Sequence, residues 1–423
     1  MSRLEKYLKY KDSGVEWIGE VPEHWKLIKL GHFFKANKGS NAAKLTKEYC
    51  ATIQGKYNVY SGQTENSGVM DSINIYEFDF DKQGCLFTTT VGAKAMTLSY
   101  LQEKFNLSQN CMIMFTNKND ILTKFFYYHL QPLFAYKRQL IPDHMQPSFR
   151  MEDFYQFKAT LPPIEEQQKI ANYLDKKIAQ IDKAITLKEQ LIEKLKERRQ
   201  VLINDAVTKG LDPNVKMKDS GVEWIGEVPE GWEVLPGFRI YNENKTKNTG
   251  MIEEQVLSLS YGKIVIKPKE KLTGLVPESF ETYQIVKPGD IIIRCMDLQN
   301  DQTSLRTGIA RNDGIITSAY LNLNVIDNFN SEYLHYYLHV LDITKVLYKF
   351  GTGLRQNLSY WDFKRLPVLV PSIKEQEEIV KFIETQTRKI DTTIILQQKH
   401  IEKLKEYKAT LIDSVVTGKA KIV

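Results

Sequence analysis

KDSGVEWIGEVPE occupies Lys11 to Glu23, and the same thirteen residues return at Lys218 to Glu230, with Trp25 answered by Trp232. A second match pairs LPPIEEQQKI at Leu161 to Ile170 with VPSIKEQEEI at Val370 to Ile379, and runs on through KLKE at Lys194 and again at Lys403. Between these echoes the two halves diverge. Two like frames around two unlike inserts form a pattern suited to one job done on two different targets.

Downstream of the second echo, apolar residues recur in steps of three and four. Leu174, Ile178, Ile181, Ile185, Ile192, Leu195 and Leu202 fall on one stripe, and Ile383, Ile390, Ile394, Ile401, Leu404 and Leu411 repeat it in the second half. This spacing predicts two long amphipathic helices with heptad seams. Each starts after a proline, Pro163 or Pro371, followed by Glu165 and Glu166 or by Glu375, which suit the positive end of a helix. Each stops near a glycine, Gly210 or Gly418. At 1.5 Å per residue such helices are roughly 60 Å long. Parallel packing would force the chain between them to cross that whole length, so the seams are expected to pair antiparallel.

The rest of the chain reads as mixed α and β, with β-rich runs such as KIVIK near Val265 and GDIIIR near Ile292, and an aromatic helix before each exit, at Phe125 and Tyr333. The expected fold class is therefore α+β. Two mixed α/β globular domains are expected at opposite ends of two long helices forming an antiparallel coiled coil, with a pseudo-twofold internal repeat. The expected boundaries are 1–160 and 216–369 for the domains, and 161–215 and 370–423 for the helices.

Bulk properties narrow the function classes. A formal charge of +6 is too small to identify a nucleic-acid binder by electrostatics alone. Cys50, Cys85, Cys111 and Cys295 lie far apart, which fits reduced core thiols rather than a disulfide frame or a zinc cluster. With no leader-like run and no apolar stretch of bilayer length, the expected compartment is the cytoplasm.

These features together resemble the specificity subunit of type I restriction-modification enzymes. The resemblance rests on the twin helix starts at Pro163-Ile164-Glu165-Glu166-Gln167 and Pro371-Ser372-Ile373-Lys374-Glu375-Gln376, the duplicated SGVEWIGEVPE leaders, and KPGDIII at Lys287, in the family's order along the whole chain. It implies that each variable domain recognises half of a split sequence in double-stranded DNA, while the helices set the spacing. It also implies docking of two methyltransferase subunits, which bring S-adenosylmethionine, and of restriction and translocase subunits, which bring ATP and magnesium. No cofactor is expected in this chain.

Catalytic signatures are missing. The double proline at Pro162-Pro163 introduces a helix rather than an adenine-gripping turn, and Gly351 and Gly353 form only a GTG fragment with no phosphate-loop lysine. His335 and His339 have the spacing of zinc ligands, yet Tyr336 stands where a metalloprotease keeps its glutamate. The chain therefore reads as non-catalytic, without a metal site.

Bases are read by Arg, Asn and Gln through groove edges, and phosphates by Lys, Ser, Thr and backbone amides. In the first domain the candidates for DNA contact are Lys56, Tyr57, Asn58, Tyr60, Ser61, Gln63, Thr64 and Asn66, followed by Thr89 and Lys94. In the second they are Tyr261, Lys263, Arg294, Gln299, Asn300 and Arg306, and then Arg355, Gln356 and Asn357. Trp17, Trp25, Trp224 and Trp232 belong to the repeated frame and are expected in the core or at surfaces shared by the partner subunits. A duplicated coiled-coil adaptor for two protein partners is the alternative. It accounts for the helices and the repeat, but not for the match along the whole chain.

Overall fold

The computed structural model describes residues 5–63, 65–142, 144–268, 279–301, 303, 305–350 and 357–422. Seven α-helices lie among them: α1 (Lys47–Thr52), α2 (Thr123–Gln139), α3 (Met151–Gln156), α4 (Ile164–Lys209), α5 (Ser331–Ile343), α6 (Tyr360–Arg365) and α7 (Ile373–Val416). Contacts divide the chain into two compact units, Met1–Lys188 with Gln398–Val423, and Glu189–Gln397. The division falls in the middle of α4 and of α7, so each long helix contributes one half to each unit.

In the first unit, two four-stranded sheets carry the variable segment. One orders Val69–Ile73, Gln54–Tyr60, Lys104–Leu107 and Phe78–Asp79, and the other orders Lys35–Asn37, Cys111–Phe115, Cys85–Thr89 and Leu98–Leu101. Cys85–Thr89 is buried along its whole length and Cys111–Phe115 along all but its last residue, so neither strand has the alternating burial of a sheet with one solvated face. A core of Tyr60, Phe78, Phe80, Phe87 and Phe105 fills the space between strands. Offset ring stacking at 5.5 Å between Phe78 and Phe105 adds to the area they bury.

The second unit has one four-stranded sheet, Tyr241–Glu243, Leu321–Val325, Ile291–Ile293 and Thr307–Ile309, with the hairpin Leu257–Ser260 to Lys263–Ile266 beside it. KPGDIII feeds the central strand. Gly289 turns there at φ +93°, and Asp290, 1% exposed, accepts from the Lys287 amide at 2.9 Å and from the side chains of Asn322 and Asn324. Ile291, Ile292 and Ile293 are all fully buried.

The repeated motifs do the same work in both units. Glu166 accepts a hydrogen bond from the Trp25 indole at 3.2 Å, and Glu375 accepts one from Trp232 at 2.9 Å. The next residue caps a second helix: Gln167 Oε1 accepts from the Leu122 amide that opens α2, and Gln376 Oε1 accepts from the Asn330 amide that opens α5. Their amide nitrogens donate back to the carbonyls of Pro162 and Pro371, so these buried side chains satisfy groups that would otherwise be orphaned. Gly210 and Gly418, both at φ +76°, close the long helices against the same tryptophans, Trp232 and Trp25 respectively. A side chain at Gly418 would meet Pro22 at 2.3 Å. The short exit helices match as well, with Asp153 and Asp362 accepting from the N-cap amides of Arg150 and Ser359, and Phe154 and Phe363 buried.

Within each unit the helix halves run antiparallel. Lys408 donates to Asp182 at 2.7 Å in the first, and Arg199 donates to Asp391 at 2.9 Å in the second. Leu174, Ile178, Ile181, Ile185, Ile401 and Leu411 are buried in the first unit and Ile192, Ile383, Ile390 and Ile394 in the second. Leu195, Leu202 and Leu404 are half-buried.

All four cysteines are buried and free, and burial pushes the thiols up, Cys111 and Cys295 to about 12. Among the described residues no group of three or more His, Cys, Asp or Glu could hold a metal ion. No helix among them is long and apolar enough to cross a membrane.

Candidate nucleic-acid interface

The first unit presents a basic and aromatic surface on the sheet that carries Gln54–Tyr60. Lys56 is exposed and its ammonium lies 5.1 Å from the Tyr57 ring centre, while Tyr57 packs against Tyr76 at 4.9 Å. Lys104 stands 4.8 Å from the Tyr76 ring and pairs with Asp79 at 3.2 Å, and that hydrogen bond holds its pKa above the usual lysine value. The exposed Tyr76 ring and the half-buried Tyr57 ring, each beside a lysine, suit stacking and phosphate contact. Tyr76 and Lys104 were not among the sequence candidates. The signal for Tyr76 was an aromatic residue in a turn after a strand, and none marked Lys104.

Neighbouring candidates are committed inside the domain. Asn58 donates to Glu103 and accepts from Ser72, Ser61 is buried, and Gln63 donates to the Val69 carbonyl at 2.6 Å. Asn66 is exposed, in a turn at φ 47°. Lys94 is exposed on the loop after Thr89.

Three candidates are corrected. Tyr60 lies in the aromatic core with its hydroxyl donated to Glu103, and burial and that bond raise its pKa. Thr89 is 1% exposed and donates to the Lys94 carbonyl, so it shapes the loop rather than facing outward. Arg306 is fully buried, and its guanidinium donates to Tyr348 and to the carbonyls of Arg294, Met296, Asp297 and Asp301. These bonds use all five of its N–H donors, leaving none for a base.

Arg306 thereby braces the loop that carries Arg294, Gln299 and Asn300. Arg294 pairs with Asp301 at 3.0 Å, Asn300 donates to Asp297, and Asn357 accepts from the Asp297 amide. Gln299 and Asn300 are exposed on this loop. Tyr261 is 90% exposed at the hairpin turn, at φ 47°, with exposed Lys263 two residues on. Thr64, Arg355 and Gln356 lie outside the described residues, as do Gly351 and Gly353.

The sequence profile described as type I restriction modification DNA specificity domain matches residues 22–197 and 238–406, once in each repeat. The chain belongs to the type I restriction-modification DNA specificity family. This specificity chain is 23% identical over 426 residues to the MjaVIII specificity subunit of Methanocaldococcus jannaschii, covering 95% of this chain and 94% of that one. It is 25% identical over 348 residues to a putative type I specificity subunit of Mycoplasma pneumoniae, covering 79% and 82%. Two solved structures share the fold. A chain from a study of assembly and conformational transition in the type I system aligns over 94% of this chain at TM-score 0.67 and 13% identity. The HsdS subunit from Thermoanaerobacter tengcongensis aligns over 94% at TM-score 0.53 and 14% identity. The function of the specificity chain is selection of DNA sequence within a restriction-modification system, and the doubled family match fits a bipartite target.

Proposed function

We propose that each unit reads one half-site of a split sequence in double-stranded DNA, with Lys56, Tyr57, Tyr76 and Lys104 on one reading surface and Tyr261, Lys263, Gln299 and Asn300 on the other. The observation that carries this reading is the contrast between an identical frame and unlike inserts. Glu166 with Gln167 and Glu375 with Gln376 make the same contacts, while the segments they support differ in sequence and in sheet order.

The paired helices fix the spacer between half-sites. The chain docks two methyltransferase subunits and the restriction subunits, and catalyses no reaction itself. S-adenosylmethionine, ATP and magnesium belong to those partners, and the assembly works in the cytoplasm. Apolar side chains left exposed on the long helices support docking: Ile395 is 52% exposed and Leu396 49%.

The test is methylation mapping across the genome of cells expressing this chain with its methyltransferase partner, compared with cells lacking only this chain. Loss of one split motif with a fixed spacer is expected. An unchanged methylome with the partner active would overturn the reading in favour of a protein adaptor.

A further inference from the structure

The exit helix of the second unit, α6, carries an indole in the open. Trp361 is 65% exposed, and the Lys364 ammonium stands 4.9 Å from its ring centre. With exposed Arg365 these residues follow the i, i+3, i+4 spacing that shares one helix face. The turn Gly237–Arg239 closes on the last turn of α6, where the Gly237 amide donates to the Leu366 carbonyl at 3.0 Å and a side chain at Gly237 would meet the Phe363 carbonyl. That approach brings exposed Phe238 and Arg239 to the same corner.

The cations here are uncommitted. Among the described residues Lys364, Arg365 and Arg239 make no ion pair, and Asp362, the one acid of α6, is spent on the Ser359 amide and hydroxyl at 2.8 and 2.9 Å.

The first unit builds the same corner without this chemistry. Its turn Leu30–His32 packs on α3 in the same way, with the Leu30 amide donating to the Phe157 carbonyl at 2.9 Å. Yet Gly31, His32, Glu152 and Gln156 stand where the second unit has Phe238, Arg239, Trp361 and Arg365. In the place of Lys364, Tyr155 accepts from the Ala36 amide. Packing of the frame therefore does not require the rings and cations of the second unit.

We propose that this corner grips the sugar-phosphate backbone of DNA beside the sequence that the second unit reads. Cations without counter-charge suit a polyanion, and lysine and arginine contacts to phosphate position a strand without reading it. The indole packs on a deoxyribose between the neutralised phosphates. The helix also stands next to the loop of Gln299 and Asn300: the Leu358 amide donates to the Cys295 carbonyl, and Asn357 accepts from the Asp297 amide, both at 2.9 Å. This grip rests on the second unit meeting DNA, and on no assignment of bases to it.

Anisotropy titrations of the full chain with a mixed-sequence duplex, over a range of salt concentrations, test the corner. Lys364→Gln with Arg365→Gln is expected to flatten the salt dependence by about two charges. Trp361→Ala is expected to weaken binding about fivefold at fixed salt with the slope unchanged, while Trp361→Phe keeps a ring and most of the affinity. An unchanged slope in the lysine and arginine variant overturns the proposal, as does undiminished binding by Trp361→Ala. An unmutated chain that binds no duplex at low salt overturns it too. Loss of association with the methyltransferase subunit in a variant whose duplex binding is unaltered would give the corner to a protein partner instead. The duplex need not contain the target, so this grip and the half-site reading, which the methylation map tests, fail separately.

Discussion

His129 and Val416 are 287 residues apart in the chain, yet the histidine Nδ1 lies 3.0 Å from the valine carbonyl oxygen. The other ring nitrogen accepts from the Thr160 amide at 3.2 Å, so one neutral imidazole joins α2, the last turn of α7 and the strand before α4. The second unit ties the matching places differently. There Tyr333 donates its hydroxyl to the carbonyls of Val207 and Leu369.

The histidine tie makes the first unit sensitive to acid. Burial lowers the His129 pKa to about 4, against about 6.5 in the unfolded chain. Between those values the unfolded state binds more protons, so the contribution of His129 is fully present above about pH 6.5 and is lost as pH falls toward 4. The loss amounts to about 3 kcal/mol at most. Thermal unfolding at pH 7.5 and pH 5 should show a smaller difference in His129→Gln than in the parent chain. An equal difference in both would exclude His129 as a main acid-sensitive group. His335 shifts in the same direction and supplies part of what remains.

The paired glutamines should behave as structural equivalents. Gln167→Ala and Gln376→Ala each strip the cap from a helix and strand a proline carbonyl, at a cost of about 1–3 kcal/mol apiece. Chemical denaturation checks the size, and hydrogen exchange should show the loosened helix to be α2 in one variant and α5 in the other. Loosening of the same helix by both would break the equivalence.

Arg306→Lys should fail to restore what Arg306→Leu removes. An ammonium offers three donors where this loop uses five, so carbonyls of the loop stay unpaired in both variants. Both should lose about 3 kcal/mol or more of stability in denaturant titrations. Wild-type stability in Arg306→Lys would contradict the scaffold role.

How much of this was readable beforehand depends on whether a residue's partner is local. The helix seams were legible because Leu174 to Leu202 and Ile383 to Leu411 keep one period over many turns, and antiparallel pairing followed from length alone. The glutamate and glutamine of each helix start were visible as a repeat but not as a device. Their partners, Trp25 and Leu122 or Trp232 and Asn330, lie far back in the chain. The candidate DNA contacts fared unevenly for the same reason. Lys56 and Tyr261 point outward, but Arg306 and Tyr60 have the composition of a reading loop and are spent on the interior. Polarity in a glycine-rich stretch does not distinguish a side chain that meets a ligand from one that holds the loop in shape.

The two exposed aromatic and basic surfaces should contribute separately to binding. Tyr57→Ala with Lys56→Ala, and Tyr261→Ala with Lys263→Ala, are each expected to weaken DNA binding by the assembled complex about tenfold or more, since stacking is worth about 1–3 kcal/mol per base. Loss of a lysine should also flatten the salt dependence by about one charge. Titrations over a range of salt concentrations measure both. Unchanged affinity and slope in either double variant would remove that surface from the interface.

The most direct test exchanges the variable segment 238–369 for that of another specificity chain, leaving both helix starts and both leaders intact, and maps the methylated motif. One half-site is expected to change while the other half and the spacer length stay as they were. A change in both halves, or in neither, from a complex that still methylates would contradict the assignment of one half-site to each unit.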